Sequence, residues 1–203
     1  MNFYISYKTP GLYCLYGIII IMLRVIAGKH GGRKLEQPDL KISRPTTDRV
    51  KEAFFSMVQF KIEKRIFLDL FSGSGSIAIE AISRGAMKAI AVESNSKAAE
   101  VIQKNVDSLK IENIDIVKTD AVEFVRRSKG KKFDFIYMDP PFDKIKLFND
   151  TISAIKEAEI LHETGLLVVE TSKPDSLELP EGFIVQRSTK YGKNNIVFIA
   201  NII

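Results

Sequence analysis

At 203 residues the chain has room for one domain with a full core and at most a small appendage. Its net charge of +5 suits a polyanionic partner without establishing one. The single cysteine, Cys14, excludes an internal disulfide and points to a reducing compartment, the cytoplasm. His30 and His162 lack companion ligands, so no metal site is expected.

Residues 1–21 differ in composition from the rest. Leu12 to Leu23 is an apolar run too short for an ordinary transmembrane helix, and no membrane partner is expected. A secretory leader is the rival reading. However, Lys8 is the only positive charge ahead of the run, and Arg24 sits badly beside a cleavage site at Val25-Ile26-Ala27. The favoured reading makes Met22 the natural start and residues 1–21 an upstream extension. Arg24 to Gly28 and Lys29 to Leu35 then read as a hairpin turned by Gly31-Gly32. Its bases Lys29, Arg33 and Lys34, followed by Lys41 and Arg44, are either a solvated surface or an arm that grips phosphates.

A helix opens after Arg44-Pro45, with Thr46 as cap and Asp48 at the positive end of its dipole. Val50, Ala53, Phe54, Met57 and Val58 share one face and should pack on the domain, while Arg44 and Arg49 point elsewhere and are candidates to touch a ligand. Arg65 to Phe71 is an apolar run fit for one buried strand, and Ser76 to Arg84 reads as a helix. Between them, Ser72-Gly73-Ser74-Gly75 forms a tight turn where backbone can approach a ligand closely, with Asp69 as a fixed acid beside it. Gly73-x-Gly75-x-x-Ala78 also fits a dinucleotide fingerprint. A second strand, 88–93, ends in Glu93, where an acid would hold ribose hydroxyls.

The alternation continues with a helix over 96–109, a strand over 114–119, Asp120-Ala121 opening a helix to 128, and a strand over 133–138. A helix over 147–159 and a strand over 165–171 follow. The last two strands, 183–189 and 195–202, are joined too closely to be parallel. The expectation is an α/β Rossmann-like domain. Its seven-stranded sheet is parallel except for one reversed strand near an edge, has helices on both faces, and carries a small N-terminal basic hairpin. The strand over 133–138 runs into Asp139-Pro140-Pro141-Phe142. Neither proline can extend a ladder, so the loop is stiff and its carbonyls are held in place. A carboxylate, a fixed carbonyl and an aromatic plate together suit an amino group on a flat heterocycle. A Pro-Pro turn with a capping Asp and a core Phe is the plainer reading.

Asp-Leu-Phe-Ser-Gly-Ser-Gly, Glu93, Asp120-Ala121 and Asp139-Pro-Pro-Phe resemble, in order and spacing, the class I S-adenosylmethionine-dependent methyltransferases that modify exocyclic amines. Arg24-Val-Ile-Ala-Gly-Lys-x-x-Gly-Arg33-Lys34-Leu35, Arg44-Pro-Thr-Thr-Asp-Arg-Val-Lys-Glu and Glu80-Ala-Ile-Ser-Arg-Gly85 are similar to the RsmD family, the bacterial 16S ribosomal RNA guanine-N2 methyltransferases. The likeness runs from Met22 nearly to the C-terminus. It divides the chain into the extension, an arm over 22–45 and a methyltransferase domain over 46–203. Lys51 stands where Arg is frequent, a change expected to matter little unless a bidentate contact is made.

The resemblance implies S-adenosylmethionine across the strand ends, with Gly73, Ser74 and Gly75 at the methionine part and Glu93 at the ribose. Asp120 and Ala121 would lie at the adenine, with Asp69, Phe71 and Ser94 in the same pocket. It implies a flipped guanine, by family specificity guanine 966, held by Asp139, Pro140, Pro141 and Phe142. RNA would be gripped by Lys29, Arg33, Lys34, Arg44, Arg49, Lys190 and Tyr191. The partner would be 16S rRNA in a partly or fully assembled small subunit, and the enzyme a monomer. An adenine-N6 methyltransferase, a nicotinamide-dependent oxidoreductase and a catalytically idle RNA-binding assembly factor remain the alternatives.

Overall fold

The computed structural model describes residues 12–15, 18–21, 23–39, 48–140 and 144–202. Met22, Lys41, Arg44, the Thr46 cap, Pro141 and Phe142 lie outside the described residues. At the N-terminus the backbone of β1 (Leu12–Leu15) pairs antiparallel with β2 (Ile18–Ile21), so the apolar run becomes a separate two-stranded ribbon. The basic segment that follows is a narrow hairpin. Arg24 bridges Lys34, and the amides of Val25 and Leu35 donate to the carbonyls of Arg33 and Leu23.

The main domain alternates strand and helix as its hydrophobic periods dictate. It contains α1 (Asp48–Val58), β3 (Ile66–Leu70), α2 (Ser76–Ser83), β4 (Lys88–Val92), α3 (Ser96–Ser108), β5 (Ile114–Val117) and α4 (Ala121–Arg127). Then come β6 (Phe133–Met138), α5 (Ile145–Glu157), β7 (Leu161–Thr171), β8 (Phe183–Tyr191) and β9 (Asn194–Asn201). The strand order is β5-β4-β3-β6-β7-β9-β8, and only β9 runs against its neighbours. Strand β7 starts four residues before the expected Gly165: Leu161 pairs with Phe133, and an irregularity absorbs the residues before Leu166 pairs with Phe135. No helix among the described residues is long and apolar enough to cross a membrane.

Alternate strand residues feed two cores, as a sheet covered on both faces requires. Phe67, Phe135, Tyr137, Val168 and Phe198 face α1, α2 and the basic hairpin. Leu68, Ile136, Met138, Leu167 and Val169 face α4 and α5. The Phe54 ring lies 5.1 Å from Tyr137, 6.2 Å from Phe67 and 6.3 Å from Phe198, so one side chain of α1 spans strands β3, β6 and β9. Helix α1 is buried more widely than its apolar stripe predicts. Phe55 and Lys51 are fully enclosed, while Ala53 and Met57 are only partly covered, because Leu23, Val25 and Leu35 of the hairpin share that core.

Glu80 of α2, fully buried, fastens the hairpin to the domain. Its carboxylate accepts from the amides of Ile26 at 2.7 Å and Ala27 at 3.0 Å, and from Arg84 Nε at 2.7 Å. Lys51 Nζ sits 3.6 Å away and donates to the Arg24 carbonyl. Burial pulls the Lys51 ammonium below the usual lysine range, with Glu80 and Asp48 opposing. The expectation that position 51 is of small consequence is thus set in a new light: its cation is part of a buried cluster. Gly28, at φ +82°, lies so close to α2 that a Cβ would stand 1.8 Å from the Ser83 carbonyl oxygen.

Asp69 is buried under the first turn of α2, where Oδ2 accepts from the Ala78 amide at 3.2 Å. Gly75 precedes that helix and offers no side-chain cap, so the preceding strand supplies the acceptor. Burial pushes the Asp69 carboxyl up from 3.8 to about 8, aided by the Glu93 charge and opposed by the Ala78 amide.

Replacing Glu80 by Ala leaves a buried lysine without its counter-ion and two backbone amides without their acceptor. The expected loss is about 3–5 kcal/mol of unfolding free energy, read by urea denaturation; a loss under about 1 kcal/mol would make the cluster dispensable. For Asp69 the folded chain holds a proton that the unfolded chain releases near 3.8. Its contribution to stability is therefore full below that pH and is lost as pH rises through about 8. Asp69→Asn should flatten that decline in a series of urea midpoints against pH; a slope equal to that of the wild type would refute the shift.

Candidate active site

Strand order reverses between β3 and β6, with β4 and β5 lying to one side and β7, β9 and β8 to the other. Open parallel sheets bind ligands at such a point, beyond the carboxyl ends of the strands. Leu70, the last residue of β3, pairs with Met138, the last of β6. The glycine turn and Asp139 therefore leave neighbouring strands side by side, at the same end of the sheet. Asp139 is half-buried and Pro140 buried.

The turn itself is tightly made. Phe71 takes φ +65°, a left-handed backbone that costs a non-glycine residue about 1–3 kcal/mol and is typical of functional loops. The Gly75 amide donates to the Ser72 carbonyl at 2.7 Å, and the Gly73 amide donates to Glu93 Oε2 at 2.8 Å. Gly75, at φ +75°, has no room for a side chain: a Cβ would stand 2.7 Å from Ile102 Cγ2 on α3. Ser74 is buried and Ser94 exposed.

Glu93, the residue after β4, is fixed at both oxygens, since Oε1 accepts from the Asn95 amide at 2.8 Å. Asp120 follows β5 and caps α4: its Oδ1 accepts from Val122 and Glu123 amides at 2.9 and 3.1 Å while the residue stays exposed. Ala121 is buried behind it. Glycine turn, Glu93, Asp120 and Asp139 thus follow β3, β4, β5 and β6 at one sheet end. Asp69 lies beneath that end, its carboxyl facing α2.

The basic residues are less concentrated. Lys29, Arg33, Lys34 and Arg49 are exposed. The Lys29 amide donates to the carbonyl of Ser83, the last residue of α2. That end is one helix length, roughly 12 Å, from the glycine turn. Lys190 and Tyr191 end β8, and Tyr191 pairs with Asn194 across a two-residue turn. Thr171, the last residue of β7, pairs with Asn195, so this hairpin tip lies at the same sheet end as Asp139.

The sequence reading missed Asn105. Its Oδ1 accepts from the Glu36 amide at 2.7 Å, and its Nδ2 donates to the carbonyls of Glu36 and Ser74, each at 3.0 Å. One buried amide on α3 thereby holds both the arm and the glycine turn. Its neighbours in sequence give no signal of this, because Gln103, Lys104 and Asp107 are ordinary solvent-facing residues.

Comparison with known proteins matches residues 23–200 to the family model described as Conserved hypothetical protein 95. Ribosomal RNA small subunit methyltransferase D of Haemophilus influenzae is 34% identical over 173 residues, covering 84% of this chain and 89% of its own. The protein of the same name from Escherichia coli is 33% identical, covering 84% and 86%. The solved structure of yhhF from Escherichia coli superposes with a TM-score of 0.80 at 30% identity, covering 89% of this chain and 98% of that one. The seven-stranded sheet with its one reversed strand is the class I methyltransferase fold, and this chain belongs to the RsmD family.

Proposed function

We propose that the protein transfers a methyl group from S-adenosylmethionine to the exocyclic N2 of a guanine in 16S ribosomal RNA, guanine 966 by family specificity. We further propose that it acts in the cytoplasm as a monomer on a partly or fully assembled small subunit. The observation that carries this reading is the pairing of Leu70 with Met138, by which the glycine turn and Asp139 leave adjacent strands at one end of the sheet. The names of the relatives, ribosomal RNA small subunit methyltransferases, support the substrate class.

The donor set fits a cationic nucleoside better than a dinucleotide. Glu93, Asp120 and Asp139 are acids at that sheet end, and a pyrophosphate would meet them at a cost. The amides of Gly73 and Gly75 are already taken by Glu93 and Ser72, so a phosphate finds no donor at those two positions. This weighs against the nicotinamide reading. S-adenosylmethionine supplies an electrophilic methyl group on a sulfonium. Glu93 would accept from the ribose hydroxyls, Asp120 from the adenine amino group, and the backbone from Gly73 to Gly75, with Phe71 and Ser94, would line the rest.

The guanine N2 lone pair is conjugated into its ring and attacks poorly. Asp139 and the Pro140 carbonyl, accepting its two hydrogens, would favour the pyramidal geometry that frees the pair and would stabilise positive charge growing on nitrogen. Holding both reactants in line supplies much of the rate. The base must leave its stack, and Phe142, beside Pro141, would receive its flat face. Lys190 and Tyr191, with Arg33, Lys34 and Arg49, would bind the surrounding backbone.

Labelled methyl transfer from S-adenosylmethionine to unmodified small subunits, followed by nucleoside analysis, should yield N2-methylguanosine; N6-methyladenosine would favour the adenine alternative. Asp139→Ala should keep cofactor affinity within about twofold and lower kcat by about a hundredfold or more. Full activity in that variant would sink the assigned role. The paired change Arg33→Ala with Lys34→Ala should reduce the slope of log affinity against log salt by up to about two. An unaltered slope would make those residues plain surface charge.

A further inference from the structure

Glu170 is the penultimate residue of β7, with 2% of its surface exposed. Its carboxylate joins two elements on opposite sides of the strand. Oε2 accepts from the Tyr137 hydroxyl at 2.8 Å, and Oε1 accepts from Asn194 Nδ2 at 2.6 Å. Tyr137 lies on β6, two residues before Asp139. Asn194 begins β9 and faces Tyr191 across the Gly192-Lys193 turn. Met138 pairs with Val169, so Asp139 and Glu170 are the next residues along two adjacent strands. The chain of contacts thus runs from the hairpin tip, through Glu170, to the strand that ends in the Asp139 loop.

Burying a carboxylate is costly, and an amide would make both contacts more cheaply. In both contacts the Glu170 oxygen accepts, so the tyrosine hydroxyl and the asparagine amide both point at it. Around the tip, Lys190 and Lys193 are exposed beside half-buried Tyr191, the composition of a surface that meets phosphate and base together.

We propose that Glu170 is a positioning residue for methyl transfer: it locks the β8–β9 tip, which holds the RNA, in fixed register with the Asp139–Pro140 loop, which holds the target base. This rests on the function proposed above. The tip keeps its cations when the lock is broken, so RNA still binds. The base then arrives misplaced, and small misplacements at a reacting centre are expensive.

The test uses the full chain with unmodified small subunits and S-adenosylmethionine. Asn194→Ala should lower kcat by about tenfold to a hundredfold, while the KM for subunits and the dissociation constant for S-adenosylmethionine stay within about twofold. Glu170→Ala should do the same. Glu170→Gln should recover most of kcat, because Gln can accept from Asn194 through Oε1 and donate to the Tyr137 oxygen through Nε2. An unchanged kcat in Asn194→Ala overturns the inference. So does a fall of kcat that only tracks loss of folded protein, read from the melting temperature and the count of cofactor sites. If Asp139→Ala abolishes transfer while Asn194→Ala does not affect it, this inference alone fails. If Asp139→Ala is fully active, the assigned base site fails first.

Discussion

Four side-chain or backbone groups from three stretches of chain converge on the Glu80 carboxylate. The amides of Ile26 and Ala27 come from the arm, Lys51 from α1, and Arg84 from the end of α2 itself. None of these elements would hold that position by packing alone, since the arm between 23 and 39 is too short for a core of its own. Glu80 lets the arm contribute Leu23, Val25 and Leu35 to the larger core, and so determines which face of α1 is covered. Charges buried in this way are expensive singly and tolerable only as a closed set. That is why the cluster is complete: each carboxylate oxygen has donors, and the lysine has both a carbonyl and an anion.

The same economy governs the crevice. Its acids are mostly held by backbone amides: Glu93 by Gly73 and Asn95, Asp120 by Val122 and Glu123. Amides fix the carboxylates in position without neutralising them with salt bridges. The crevice keeps its negative character and its shape at once, which is the preorganisation that a cationic ligand requires.

Most of the architecture was legible because hydrophobic period and turn chemistry are local. Each element of the alternation after residue 60, the reversed final pair and the glycine turn could be read from a window of about a dozen residues. The Asp139-Pro140 corner was legible because two prolines cannot continue a strand. Lys51, Glu80, Asn105 and Glu170 were not. Each sits in a helix or strand where a polar residue ordinarily faces water, and its partners are remote: Ile26 is 54 positions from Glu80, and Glu36 is 69 from Asn105. The left-handed backbone of Phe71 was hidden for a different reason, since nothing in a phenylalanine announces a conformation that glycine would take more cheaply.

Asn105 illustrates what such a residue imposes on the chain's future. Its side chain must be an acceptor toward Glu36 N–H and a donor toward two carbonyl oxygens. Aspartate has the same outline but would set oxygen against oxygen twice, and leucine would strand three peptide groups. The site is therefore closed to drift by polarity rather than by volume, whereas Gly75 a short distance away is closed by volume and by its left-handed backbone. Two different kinds of constraint, one electronic and one steric, guard the same loop, and both are set by α3.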